Sequence, residues 1–107
     1  MEEYVIKHFE ERKQKVLNLI RNADIKYKEI GIFGSYARNE YKATSDIDFC
    51  IITDEKPNHY VKGELRCDAE DLGADIIFVS PEYFSNNESA FARALRRDYR
   101  RIEEYGK

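Results

Sequence analysis

The chain has 107 residues, 42% apolar and 36% charged, with a net charge of −3 at pH 7. A chain of this size buries one core, so residues 1–107 are read as a single globular domain rather than a disordered segment. The negative balance offers no global attraction to nucleic acid, which is disfavoured as a substrate, and no apolar run approaches the roughly 20 residues that span a bilayer.

The chain opens Met1-Glu2-Glu3 without the basic flank or apolar run of a leader, so a cytoplasmic location is expected. From Glu2 to about Ala23, Ile6, Phe9, Val16, Leu17 and Ile20 recur at helical spacing, with Lys and Glu on the other faces, which predicts an amphipathic first helix. Glu29-Ile30-Gly31-Ile32-Phe33 is short and β-prone. It ends at Gly34-Ser35, where the serine is expected to cap a short helix starting near Tyr36. Residues 39–45 are polar, and Ile47 to Thr53 has the β-branched and aromatic content of a buried strand, followed by a loop around Pro57.

From about His59 to Leu72, Val61, Leu65 and Ala69 keep a spacing of four, predicting a third helix that ends at Gly73. Ala74 to Val79 reads as the third strand. Ser80-Pro81 then opens a final helical region, interrupted at Asn86-Asn87. In it Phe84, Phe91, Leu95, Tyr99 and Ile102 line one side, and Arg93, Arg96, Arg97, Arg100 and Arg101 crowd the others. The order is αβαβαβα, an α/β (α+β) fold with a small mixed sheet of three or four strands flanked by helices. Cys50 and Cys67 have no close spacing, suggest neither a disulfide framework nor a zinc site, and are read as reduced thiols.

The chemistry is concentrated between Gly34 and Asp48. A Gly-Ser pair at a strand-to-helix turn lets backbone approach a phosphate, with the helix-start N–H groups and the Ser35 hydroxyl holding its oxygens. Asp46 and Asp48 alternate with Ile47 and Phe49, so on a strand both carboxylates face one way. Two ionised carboxylates held together call for a cation. Mg²⁺, which prefers oxygen ligands and joins carboxylates to substrate phosphates, is the natural one. Asp75 opens the next strand and supplies a third carboxylate. Three aspartates suit a site with two metal ions and an in-line displacement.

Gly34-Ser35, ten residues beginning Tyr36-Ala37-Arg38, then Asp46-Ile47-Asp48 and the later Ala74-Asp75-Ile76-Ile77 resemble the nucleotidyltransferase superfamily of DNA polymerase beta, and within it the minimal nucleotidyltransferases. Asn39 stands where that family usually has glycine, and asparagine tolerates a left-handed backbone better than most residues. The resemblance implies Asp46, Asp48 and Asp75 as metal ligands and catalytic carboxylates, with Asp75 also helping to activate the acceptor hydroxyl. It implies Gly34 and Ser35 as holders of an ATP triphosphate, with Arg38 one turn on reaching the same phosphates. It further implies AMP transfer to a tyrosine of a HEPN-domain toxin, the chain acting as antitoxin. A non-catalytic module that masks the same partner is the alternative from another class. A nucleotidyltransferase acting on an aminoglycoside-like small molecule is the third, and it would require a homodimer to wall off a pocket.

Overall fold

A computed structural model describes residues 3–104. The elements in chain order are α1 (Glu3–Asn22), β1 (Glu29–Phe33), α2 (Gly34–Ala37), β2 (Ile47–Ile52), α3 (His59–Asp71), β3 (Ala74–Val79), α4 (Pro81–Asn86), α5 (Ala90–Asp98) and β4 (Arg100–Glu104). The strands form one mixed sheet in the order β3-β2-β1-β4, with β2 and β3 parallel and β1 antiparallel to both of its neighbours.

Strand alternation divides the core. One face carries Ile30, Ile32, Ile47, Phe49, Ile51, Ala74, Ile76 and Phe78, packed against Phe9, Val16, Leu17 and Ile20 of α1 and Leu65 and Ala69 of α3. The opposite face carries Cys50, Ile52 and Val79, with Leu95 of α5 and the half-buried Phe33, Ile77, Tyr83, Phe84 and Tyr99. Burial pushes the Cys50 thiol up to about 12, so it packs as a small apolar group, and both cysteines are free. Ile6, expected on the buried stripe of α1, remains 44% exposed, and Val5 packs against the core instead. No helix among the described residues is long and apolar enough to cross a membrane.

The helix signals act largely as the sequence implies. Asn58, Ser80 and Ser89 cap α3, α4 and α5 by accepting from the backbone N–H of Val61, Tyr83 and Ala92 at 2.9, 3.0 and 3.1 Å. The expected break at Asn86-Asn87 separates α4 from α5. Two expectations are corrected. Helix α2 starts at Gly34, so Ser35 lies inside it. Its cap position is Phe33, whose side chain makes no capping bond.

The second correction concerns the C-terminal end, where residues 100–104 form β4 rather than continuing a helix. Tyr99 turns the chain to extended backbone (φ −61°, ψ 132°), and β4 pairs with β1 across a register shift between Ile30 and Gly31. Such a bulge, in a strand reading Arg-Arg-Ile-Glu-Glu, erases the two-residue alternation that marks a strand in sequence. A Cβ on Gly31 would run into the Tyr99 ring, so that glycine admits the tyrosine, whose hydroxyl donates to Glu29 at 2.5 Å. Arg21 donates to Glu103, which also accepts from the Tyr27 hydroxyl at 2.6 Å, fastening β4 to α1 and to the approach to β1.

Candidate active site

Because Phe33 pairs with Asp48 and Asp48 with Asp75, the end of β1, the start of β2 and the start of β3 lie side by side at one end of the sheet. Asp48 and Asp75 are register partners and therefore share a face, the one lined further along by Cys50 and Ile77. Asp46 lies one residue before β2 begins. Asp48 is half-buried, while Asp46 and Asp75 are exposed.

Asp48 feels both of its acidic neighbours. Burial, then repulsion from Asp75 and from Asp46, raises the Asp48 carboxyl from 3.8 to about 6, with Arg38 opposing the rise. Yet no three His, Cys, Asp or Glu side chains among the described residues are gathered tightly enough to grip one metal ion as they stand. The expected convergence is therefore partial: the three aspartates share one end of the sheet without forming a closed cage.

Gly34 has φ +76°, a left-handed conformation that glycine adopts without strain, and a Cβ there would run into Oδ2 of Asp48. The bend and the carboxylate are thus in direct apposition. Asn39, at φ 60°, also occupies the left-handed region, so asparagine supplies the turn there. The turn closes by the Glu40 N–H donating to the Ser35 carbonyl at 2.9 Å. Ser35 sits in the first turn of α2, and the buried Tyr36 ring packs beside Phe9 and Tyr41. Burial and a hydrogen bond to Glu10 push the Tyr36 phenol well up, so its proton stays in place.

Arg38 is where sequence and structure part. It follows α2 as expected, but its guanidinium donates to Asp98 at 2.7 Å and lies 3.4 Å from Glu40. Asp98, at the end of α5, has only 7% of its side chain exposed and also accepts from Arg97 at 3.0 Å. These hydrogen bonds hold Arg38 and Arg97 charged and depress the Asp98 carboxyl. Sequence reading missed Asp98. Its signal was a single acid among the arginines of residues 93–101. Arg96 is likewise structural, donating to the Phe84 carbonyl at 2.8 Å. A second missed residue is Arg12, which lies over the Phe9 ring and donates to the Ser45 carbonyl at 3.3 Å, securing the loop just before Asp46.

The donor set suits a hard cation. All the candidate ligands are carboxylate oxygens, the half-buried member resists ionisation without compensation, and backbone at Gly34 leaves space that a side chain would fill. Residues 5–105 match the family of nucleotidyltransferase domains, so the chain belongs to that family and is a nucleotidyltransferase. Among its relatives, a Methanocaldococcus jannaschii protein provisionally named a protein adenylyltransferase is 40% identical over 62 residues, which are 58% of this chain and 67% of the relative. A chain of a toxin–antitoxin crystal structure with AMP-PNP superposes with a TM-score of 0.63 at 20% identity, covering 87% of this chain and 73% of that one. A chain of the tri-AMPylated Shewanella oneidensis HEPN toxin in complex with MNT antitoxin gives 0.60 at 18% identity, covering 89% and 71%. At such identities these two likenesses establish the shared fold.

Proposed function

We propose that this chain is a Mg²⁺-dependent adenylyltransferase that moves AMP from ATP to a tyrosine hydroxyl of a HEPN-type partner protein, acting in the cytoplasm as the antitoxin of a toxin–antitoxin pair. The observation that carries this reading is Asp48, pressed against the Gly34 bend and made hard to ionise first by its burial and then by Asp75 and Asp46. The relative named as a protein adenylyltransferase supports the transferred group, and the HEPN and MNT names borne by the structural neighbour support the partner class.

In this account Asp46, Asp48 and Asp75 would hold the metal ions, and Gly34 and Ser35 would lie against the triphosphate. Arg38, anchored by Asp98, would keep positive charge beside the phosphates rather than grip them bidentately. A bound pair of Mg²⁺ ions would supply neutralisation of the triphosphate and of the departing pyrophosphate. The chain itself contributes a preorganised carboxylate set, with Arg12 fixing the loop that carries Asp46.

The test is to incubate the purified protein, the product of its neighbouring reading frame, Mg²⁺ and ATP labelled at the α-phosphate. Label on a partner tyrosine is the expected result. Stable complex formation without label, unchanged by Asp46→Ala with Asp48→Ala, would replace transfer with masking by contact.

A further inference from the structure

We propose that the groove along the outer edge of β3 receives a tyrosine side chain of the partner protein and presents its phenolic oxygen to the carboxylate cluster. The inference rests on the adenylyl-transfer reading and adds to it the location of the acceptor.

The groove has a volume of about 340 Å³ and is lined by Lys56, Ile77, Val79, Ser80, Tyr83 and Phe91, among others. None of the three aspartates lines it, but it approaches the candidate site at two points. Ile77 follows Asp75 by two residues on β3, so it shares Asp75's face and lies about 7 Å further along the strand, comparable with the reach of a tyrosyl side chain. Phe91, 49% exposed, meets Phe33 edge to face with ring centroids 6.2 Å apart, and Phe33 immediately precedes the Gly34 bend.

Stereochemistry gives the groove its side of the reaction. Across this end of the sheet the order is Gly34 after β1, Asp48 on β2, then Asp75 on β3. Displacement at phosphorus is in line. With the triphosphate tail lying toward Gly34 and Ser35, the attacking oxygen must enter from the opposite direction, which is over β3. The groove is the concavity along that approach.

Its lining selects the acceptor. Ile77, Val79, Tyr83 and Phe91 offer apolar and aromatic surface to a phenyl ring, whereas serine or threonine would leave that surface unfilled. Strand β3 is also the sheet edge, but Arg66 of α3 donates to the outward Ile76 carbonyl at 3.0 Å, so the partner's tyrosine enters the groove as a side chain rather than by strand pairing along that edge. In the step itself the phenolic oxygen bonds to the α-phosphorus as the bond from that phosphorus to the bridging oxygen breaks. Pyrophosphate leaves with the electron pair, and the phenolic proton is released to water.

The test uses N-acetyl-tyrosinamide as probe and the isotopically labelled chain, following backbone amide resonances. Saturable shifts confined to residues 77–83 and 91, absent with N-acetyl-serinamide and weakened on the order of tenfold by Phe91→Ala, are expected. A thermal melt of the variant confirms that it is folded. In a transfer assay with the partner, Phe91→Ala should raise KM for the partner while Mg²⁺-dependent ATP uptake is unchanged. Absence of saturable shifts in this region, equal shifts with the serine probe, or a loss of ATP affinity in Phe91→Ala would overturn the proposal. Groove binding that persists in a chain showing no ATP uptake would instead remove the adenylyl-transfer reading alone.

Discussion

Replacing Asp48 by asparagine should stabilise the metal-free protein while abolishing its activity. The carboxyl is raised from 3.8 to about 6 by burial and by its two acidic neighbours. Since the folded-state value exceeds the unfolded one, folding favours the protonated form. The penalty is therefore absent well below pH 4, grows as pH rises and is complete above about 6. At ~1.4 kcal/mol per pH unit the rise from 3.8 to about 6 corresponds to about 3 kcal/mol. Because Asp48 is only half-buried and Asp46 and Asp75 reach solvent, screening reduces this to about 1–2 kcal/mol. Asp48→Asn should then raise the melting temperature at pH 8 in EDTA by about 5–10 °C. By pH 4.5 the gain should shrink to about a third. Thermal melts of both proteins at the two pH values measure this directly. A variant no more stable at pH 8, or a gain equal at both pH values, would refute the electrostatic reasoning.

Other perturbations follow from the same geometry. Gly34→Ala combines a left-handed backbone with a Cβ directed into Asp48, and should cost about 1–3 kcal/mol in urea denaturation as well as ATP uptake. Asp98→Ala should free Arg38 and raise KM for ATP several-fold with a smaller change in kcat. In the wild type, the depressed Asp98 carboxyl contributes stability that is present above the ordinary carboxylate range and lost as pH falls through its folded value, a loss the variant should not show. Tyr99→Phe should cost about 1 kcal/mol of stability through the lost bond to Glu29, with adenylyl transfer unaffected, as urea denaturation beside the transfer assay will show.

Much of this architecture was legible beforehand because its signals are local. β1 and β3 fall where short β-prone runs end at glycine or serine, and Ser80-Pro81 opens α4 as expected, whereas the caps at Asn58 and Ser89 emerge only in the structure. The aspartates and the Gly-Ser bend were legible for a related reason: alternation puts Asp48 on a definite face, and parallel pairing brings Asp75 to the same row. β4 was not, since Leu95, Tyr99 and Ile102 imitate helical spacing, and the strand exists through pairing with distant β1 across a bulge. Nor could the Arg38–Asp98 pair be read, because nothing local joins residues sixty positions apart. The groove beside β3 is likewise a product of packing between α4, α5 and the sheet edge.

Isothermal titration of ATP into the protein, with and without Mg²⁺, bears most directly on the central claim that Asp46, Asp48 and Asp75 act together as a cation and nucleotide site. Uptake that requires Mg²⁺ in the wild type and vanishes in Asp75→Asn, with the fold retained, is the predicted result. Equal ATP binding without Mg²⁺, or undiminished binding by Asp75→Asn, would contradict it.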